Sequence, residues 1–507
     1  TNSIDASLSL FAPANLKWSN NGNSGVWDTS SSANWVDLSS SSQTVFNPGD
    51  QVLFDDAINV PTNVTVNGSV APSLITVDSS TNNFNLSSGA ITGTGAFIKK
   101  GSSPLTITSA GNFTGPVTLS GGSVYAGNNC FASVSSIRIT NNATLDMGGG
   151  TFNNNKPVTV SGAGVNGQGA IFNSYADYPQ ESLNVTLAGD AVFGASARWD
   201  LASGSHISGP HKLTIDWSAG SGYGEWNSPV IGADVAGITL TNGNLGAKGM
   251  DNSFQNPATI LTVSTNCQLV FYSGGWNGSL HILGGGQAAL LTAPSAFNGS
   301  SIVLETGAQW QSYYNTNDEP INSAITLNGI AHFVLGDHNM IYTNVISGPG
   351  GFVLDYWNHA VVFSSANTYG GPTIIGSSGN SPAVVLTGNG SISQSSLIFF
   401  GGNDPAVERL DASGRSDQTL TLAAGQTLAG IGALNGSLVV SPGATLSPSG
   451  TNVTLGITAG ANATGTIIVS NSVSLNGTTM IKLNGSGVND AVQAGGDINY
   501  GGTFSLV

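Results

Sequence analysis

The segment Ile346-Ser-Gly-Pro-Gly-Gly-Phe-Val-Leu-Asp-Tyr356 decides the fold, because the chain contains two further copies of it. It aligns without gaps on Ile207-Ser-Gly-Pro-His-Lys-Leu-Thr-Ile-Asp-Trp217 and on Ile91-Thr-Gly-Thr-Gly-Ala-Phe-Ile-Lys-Lys-Gly101. A unit that recurs with its turn glycines in register indicates stacked supersecondary units, each burying its apolar face only against its neighbours. The glycines supply the positive φ angles that tight corners require. The repetition therefore predicts a β-solenoid.

Short strand signals occur along the whole chain, each bounded by Gly, Asn, Ser or Pro. Clear examples are Val117–Leu119 and Leu438–Val440. In the clearest stretches successive strands start about ten residues apart, which leaves no room for crossover helices. Helix signals are nearly absent, since Glu, Lys and Arg are rare and apolar residues show no three-four spacing. This spacing fits a β-sandwich or a coil of parallel strands, and the internal repeats favour the coil.

Composition indicates a folded chain with an unusual surface. Only 7% of the 507 residues are charged, whereas 39% are hydrophobic, so hydroxyls and amides must solvate the exterior. The 11 basic and 27 acidic residues give a net charge of −16, which argues against nucleic acid and anionic membranes as partners. No apolar run is long enough for a transmembrane segment. The chain starts at Thr1, as expected after removal of a signal peptide, and we expect an exported protein.

Several motifs resemble the autotransporter-associated β-strand repeat. They are the copies quoted above, Ala366-Asn-Thr-Tyr-Gly-Gly-Pro-Thr373, Gln418-Thr-Leu-Thr-Leu-Ala-Ala-Gly-Gln-Thr-Leu428 and the run from Gly436 to Gly450. The opening stretch with Trp18, Trp27 and Trp35 resembles the usual start of such repeat proteins. The resemblance covers residues 15–130 and 340–505 well, and it implies a secreted bacterial right-handed parallel β-helix. Because such repeats serve adhesins, stalks and a few enzymes, it implies no particular activity.

We therefore predict an all-β, right-handed parallel β-helix with an N-terminal tryptophan-rich cap. The cap and first strands are assigned to residues 1–60, and one continuous solenoid to residues 61–507. Within the solenoid, residues 140–340 are less regular and rich in aromatic residues and His, whereas residues 341–507 carry regular repeats.

The middle of the chain holds the candidate site, because all six His and six of the nine Trp residues lie there. Aromatic faces beside carboxylates are typical of a sugar-binding groove. The catalytic candidates for an enzyme are Asp216, Glu225, Asp355 and His359. The candidate ligand-binding residues are Trp199, Trp217, Trp226, Trp276, Trp310 and Trp357.

The repeats offer a structural alternative for the same residues. Asp216 and Asp355 occupy one repeat position, which indicates a slot that anchors turns, and the tryptophans are equally suited to core packing. At about 20–30 residues per coil and a strand spacing of about 4.8 Å, these two carboxylates would lie roughly 25–33 Å apart. A catalytic carboxylate pair needs about 5–10 Å. Asp216 and Glu225 remain candidates for a catalytic pair, since one strand and a turn could bring their carboxylates close.

Metal signals are weak, and we expect no cofactor. Asp55 with Asp56, or Asp337 near Asn339, could hold Ca²⁺, although acidic turns usually cap backbone amides. Cys130 and Cys267 are 137 residues apart, several coils, whereas a disulfide needs Cα atoms within about 7 Å. The spacing predicts two buried thiols with no disulfide between them.

These observations favour an exported, non-catalytic structural or adhesive solenoid at the cell surface or in the extracellular matrix. Its expected partners are surface or matrix polysaccharide and other copies of itself. The strand-like segment Thr503–Val507 is expected to dock onto further chain or another copy, giving end-to-end fibres. The alternatives are a polysaccharide-active enzyme, a lyase or glycoside hydrolase, and a glycan-binding module, both using residues 199–359.

Overall fold

The computed structural model describes residues 12–19, 21–57, 60–127, 129–148, 156–175, 180–220, 222–291, 301–312, 318, 320–355, 358–376, 382–401, 409–449, 464–485 and 487–507. The chain divides into two compact units, Thr1–Ala236 and Gly237–Val507. The cap boundary predicted at residue 60 lies inside the first unit. Each unit consists of runs in which every strand pairs in parallel with the strand of the next coil.

The first unit has two long runs. One run consists of Asn15–Trp18, Gln51–Asp55, Leu74–Asp78, Ala96–Lys100, Val117–Leu119, Ile137–Ile139, Pro157–Gly162, Asn184–Ala195, His206–Ser208 and Val230–Ile231. The other consists of Val26–Trp27, Asn63–Val66, Phe84–Ser87, Leu105–Ile107, Ser123–Ala126, Thr144–Asp146, Ile171–Asn173, Asn184–Ala195 and Lys212–Asp216. The long strand Asn184–Ala195 belongs to both runs.

Shorter elements complete this unit. A third run contains Ser69–Val70, Ala90–Gly93 and Ala110–Phe113, and a fourth contains Gln180–Glu181, Asp200–Leu201 and Tyr223–Asn227. Trp35–Asp37 and Gln43–Thr44 form the antiparallel cap strands, and Val165–Gly167 forms a 3₁₀ turn.

The second unit has four runs. The first contains Gly237–Asn242, Ile260–Val263, Ser279–Ile282, Ser301–Leu304, Ala324–Leu327 and Ile346–Ser347. The second contains Asn244–Met250, Gln268–Trp276, Gln287–Leu290, Gln309–Ser312, Ile330–Val334, Gly351–Asp355, Thr373–Ile375, Leu397–Phe400, Thr427–Gly430, Thr445–Ser447, Thr478–Ile481 and Thr503–Leu506. The third contains Pro320–Ile321, Met340–Tyr342, Ala360–Phe363, Ala383–Gly388, Arg409–Arg415, Gly432–Asn435, Thr466–Val469 and Ala491–Ala494. The fourth contains Thr419–Leu422, Ser437–Val440, Val473–Leu475 and Ile498–Tyr500.

The core consists of apolar columns in register. Alternation along each strand places every second side chain inside, so Val52, Ile75, Phe97, Val117 and Ile137 stack one above another. Each of the five is at most 2% exposed. Successive members are 20 to 23 residues apart, which matches the predicted coil length. Burial of such columns is the main favourable contribution to stability. The predicted parallel β-solenoid is confirmed.

The repeated segment forms a strand, a glycine corner and a second strand in each of its three copies. Its third residue has a positive φ every time, 93° at Gly93, 106° at Gly209 and 107° at Gly348. A Cβ at Gly209 would lie 2.2 Å from the carbonyl oxygen of Leu187 in the preceding coil. Conformation and space therefore both require glycine, and the predicted corner role is confirmed.

The predicted tryptophan-rich cap is also confirmed. Trp18, Trp27 and Trp35 are each at most 1% exposed. The Trp35 ring centroid lies 5.0 Å from that of Trp18, 5.5 Å from that of Trp27 and 5.4 Å from that of Phe54, mostly edge to face. Edge-to-face packing is favourable for aromatic quadrupoles, so these rings form a tight apolar cluster in the first coils.

Both cysteines are buried thiols, as predicted. Cys130 and Cys267 are each 1% exposed, and neither forms a disulfide. Burial raises the pKa of the Cys130 thiol, which makes it a poor nucleophile. Among the described residues, no helix has the length and apolar content needed to cross a membrane.

Candidate functional site

The strongest charged cluster in the predicted region is formed by Arg198, Asp200, Tyr223 and Glu225, named here the Arg198 cluster. The strands Asp200–Leu201 and Tyr223–Asn227 pair in parallel with Leu201 opposite Trp226. This register brings the carboxylates of Asp200 and Glu225 to one place in successive coils. The Asp200 Oδ1 atom accepts a 2.9 Å hydrogen bond from the backbone N–H of Glu225.

The arginine joins the two carboxylates. Arg198 Nη2 lies 2.8 Å from Asp200 Oδ2 and 2.9 Å from Glu225 Oε2. Its guanidinium also lies over the Tyr223 ring, 4.9 Å from the centroid, and the Tyr223 hydroxyl donates to Glu225 Oε1. The hydrogen bonds with Asp200 raise the pKa of Arg198, against the opposing effect of burial. The cluster therefore holds a permanent cation between two almost completely buried carboxylates.

Such a network ties adjacent coils together by charge-assisted hydrogen bonds. The side chain of Asp200 is 0% exposed and that of Glu225 is 7% exposed. A general acid or base must reach the proton that it transfers. These carboxylates accept from Arg198 and Tyr223 instead of facing an open groove. The geometry therefore accounts for the cluster as a structural connection between coils.

We expect Arg198→Met to lower the free energy of unfolding by about 2 kcal/mol, because two buried carboxylates lose their cation. Arg415→Met is the matched control, since Arg415 has a similarly exposed side chain but pairs with Asp417, which is 51% exposed. That exposed pair should contribute at most about 1 kcal/mol. Equilibrium denaturation of the two variants measures the difference. Equal losses would contradict the structural account of the Arg198 cluster.

The structure describes the side chains of three of the four predicted catalytic residues, Asp216, Glu225 and His359. Asp216 ends the strand Lys212–Asp216, and its Oδ1 accepts a 2.8 Å hydrogen bond from the backbone N–H of Ser218, which is the contact expected of a turn anchor. Glu225 joins the Arg198 cluster. Asp355 ends the strand Gly351–Asp355, but its side chain lies outside the described residues. His359 is partly buried, with its ring 6.2 Å from that of His338.

The candidate tryptophans lie in the interior. Those that the structure describes are between 0% and 3% exposed, namely Trp199, Trp217, Trp226, Trp276 and Trp310. The rings of Trp199 and Trp217 pack on each other, and the ring centroid of Trp276 lies 4.7 Å from that of Phe254. An indole at this depth presents no face to a sugar ring, so these five form no exposed strip. Trp357 lies outside the described residues.

The partners of Glu225 were missed at the sequence level. Asp200 follows Trp199, and Glu225 precedes Trp226, with 25 residues between the two acids. That separation is close to one coil, so acid–tryptophan pairs one coil apart were the available signal. Assigning the register required the exact strand ends, which the Gly- and Ser-rich connections do not define.

Asp55 and Asp56, the first acidic pair proposed for Ca²⁺, have protein partners, whereas Asp337 is exposed. Asp55 pairs with Lys17 at 2.9 Å. The Asp56 carboxylate accepts hydrogen bonds from the Ser79 hydroxyl, the Ser80 N–H and the Thr81 N–H at 2.6 to 2.9 Å. In the other turn, Asn339 donates from its backbone and side chain to Asp318. In the part of the chain that the structure describes, no three His, Cys, Asp or Glu residues form a group suited to a metal ion.

The hydrogen bonds to Asp56 have a consequence for acid stability. They lower its pKa below the ordinary value, led by the bond from the Ser79 hydroxyl. A lowered folded-state pKa contributes stability that is fully present above the unfolded-state pKa of about 3.9, and this contribution is lost as the pH falls toward and through the folded-state pKa. We expect Asp56→Asn to lower the melting temperature at pH 7, with a smaller difference from wild type near pH 3. Thermal melts across this range test it, with the exposed Asp497→Asn as control; a pH-independent difference would contradict the prediction.

The comparisons with known proteins leave the resemblance seen in the sequence motifs as the link to a family. No protein-family model, no curated protein and no solved structure matches the chain.

Proposed function

We propose that this protein is an exported, non-catalytic structural or adhesive solenoid that acts at the cell surface or in the extracellular matrix. The observation that carries the proposal is the engagement of the candidate carboxylates in the scaffold. Asp216 closes a turn, and Glu225 is bound by Arg198 and Tyr223. Glu225 links successive coils and Asp216 caps a turn within its own coil, so both side chains have contacts that a scaffold requires.

The exterior supports the same proposal. In the first unit Thr76, Thr118, Thr159 and Thr186 lie in one outward column of the long run. Ile98 and Arg138 lie between them in the same column, so of these four only Thr159 and Thr186 present their hydroxyls on successive coils, at the strand spacing of about 4.8 Å. Hydroxyls both donate and accept hydrogen bonds, so this face suits contact with polysaccharide.

Association of copies is part of the proposal. Tyr500, Phe504 and Leu506 are 71%, 55% and 61% exposed, and they lie on the neighbouring strands Ile498–Tyr500 and Thr503–Leu506. Covering apolar surface of this kind lowers the free energy. Electron microscopy and sedimentation of wild type and Phe504→Ser test it. Fibres that shorten in the variant are expected, and uniform monomers of wild type at micromolar concentration would exclude self-association.

A polysaccharide panel tests the absence of catalysis. We expect wild type to be retained on one or more insoluble polysaccharides without new reducing ends or unsaturated products. Glu225→Gln should behave as wild type does. Product formed by wild type and lost in Glu225→Gln would instead establish a polysaccharide-active enzyme with its site at the Arg198 cluster.

A further inference from the structure

A shallow groove of about 570 Å³ runs across four successive coils of the first unit. It is lined by residues 101–102, 120–122, 141–142 and 163–167, so each coil contributes one corner to it. The volume lies within the range of about 300–1,000 Å³ that is typical of ligand sites. The groove is remote in sequence from the tryptophans and carboxylates of the predicted site.

The lining contains no carboxylate, although the chain has 27 acidic residues, and its polar side chains are serines and asparagines set among glycine, alanine and valine. Asn141 and Asn142 are exposed, with φ of 54° and 57°, and the Oδ1 atom of Asn142 accepts a 3.1 Å hydrogen bond from the backbone N–H of Ala163. Asn166 and Ser102 are exposed as well. Amides and hydroxyls offer both donors and acceptors, which matches the hydroxyl-rich surface of a sugar chain.

A buried cation lies under the floor of this groove. Lys99 is 0% exposed and occupies an inward column between Val77 and Leu119. Its Nζ donates to the carbonyl oxygens of Lys100, Gly101 and Gly121. A Cβ added to Gly122 in the floor would lie only 2.9 Å from that Nζ. The thickness of one glycine therefore separates the ammonium group from the groove.

A lysine in an apolar column is costly for the fold. Burial lowers the pKa of Lys99 to about 8, and the nearby carboxylates of Asp78 and Asp56 oppose this shift, so the lysine retains its charge at neutral pH against a desolvation penalty. An apolar residue would continue the column of Val77 and Leu119 without that penalty. The placement of the charge beneath a carboxylate-free groove gives the lysine a use, because an anion above the glycine floor would be attracted through a low-dielectric layer.

We propose that this groove binds a polysaccharide whose sugars carry carboxylates, that is, a chain of uronic acids. The asparagine amides and serine hydroxyls bind the sugar hydroxyls, and the Lys99 charge attracts one carboxylate. The corners are about 4.8 Å apart from coil to coil, and each carries a serine or an asparagine, so a chain extended along the groove meets a polar side chain on each coil. This inference rests on the proposed adhesive function and names the polysaccharide class that it would bind.

Binding of a defined oligogalacturonate, measured by calorimetry, tests the proposal against a cello-oligosaccharide of equal length. We expect wild type to bind the oligogalacturonate at least about tenfold more tightly, which corresponds to about 1.4 kcal/mol. Lys99→Met should remove most of that preference. Asn142→Asp should weaken oligogalacturonate binding about tenfold, because it places a carboxylate in the groove.

Asn266→Asp is the matched control for Asn142→Asp. Asn266 is also an exposed corner asparagine with φ of 61°, but it lies in the second unit and is not among the residues that line the groove. Asn266→Asp should bind the oligogalacturonate as tightly as wild type does. If Lys99→Met does not fold, the comparison of Asn142→Asp with Asn266→Asp tests the proposal by itself. Equal affinity for both oligosaccharides, no binding by wild type, or equal effects of the two asparagine variants would each overturn the proposal. Cleavage of the oligogalacturonate would overturn the proposed non-catalytic function instead.

Discussion

Replacing Trp35 by alanine is expected to lower the stability of the first unit by about 3–5 kcal/mol, the cost of removing a fully buried large aromatic side chain. Trp35 is 0% exposed and packs on Trp18, Trp27 and Phe54, so its removal leaves a cavity that three rigid rings cannot fill. In a solenoid each coil contacts only its neighbours, so the loss should appear first in the initial coils. Denaturant unfolding gives the magnitude, and hydrogen exchange gives the location.

Two variants sharpen this test. Trp35→Phe should recover much of the loss, because it keeps an aromatic ring and removes an indole Nε1 that is buried without a hydrogen-bond partner. Leu38→Ala is the surface control, since Leu38 is 50% exposed just after the same strand, and it should change stability by less than about 1 kcal/mol. An alanine at position 35 that costs no more than the Leu38 variant would show that the cap contributes little.

The cap and the coils were predictable because their signals are local. Trp18, Trp27 and Trp35 lie close together among turn residues, and the repeated segment carries its glycines at fixed offsets. A small error in the predicted ends of the strands changes neither feature. The coil length followed from the same repeats, and the positive φ at Gly93, Gly209 and Gly348 shows that the corners were correctly placed.

The site was less predictable because it depends on which side of a strand faces inward. A shift of one residue in register moves every side chain to the opposite face. Trp199 and Trp226 were candidates for a sugar-binding strip, yet both indoles lie in the interior and leave the neighbouring carboxylates to pair with Arg198. Lys99 was missed for the same reason, since nothing in Phe-Ile-Lys-Lys distinguishes the buried lysine from the exposed one.

Glycines inside strands were a second limit on what the sequence could predict. The sequence associates glycine with corners, but Gly111 lies within the strand Ala110–Phe113, directly opposite buried Ile91 of the preceding coil. It therefore occupies an inward position where a side chain would be expected. The space is taken by the next coil: a Cβ at Gly111 would lie 1.5 Å from the carbonyl oxygen of Cys130 and 2.5 Å from its Cα. No sequence pattern reveals this approach, because it joins two non-adjacent segments.

Gly111→Ala is accordingly expected to cost about 3 kcal/mol or more, since the added methyl group meets backbone that cannot rotate away. Gly370→Ala is the matched control, because a Cβ there has no atom within 4 Å and the change should stay within about 0.5 kcal/mol. Displacement of the Cys130 segment should also expose its thiol, which is 1% exposed in the wild-type fold. Labelling by a thiol reagent under native conditions should therefore accelerate in Gly111→Ala and not in Gly370→Ala. Unchanged stability and labelling in Gly111→Ala would mean that the coil at residues 129–132 can move away from this strand without cost, and that the close stacking of these two coils does not stabilise the solenoid.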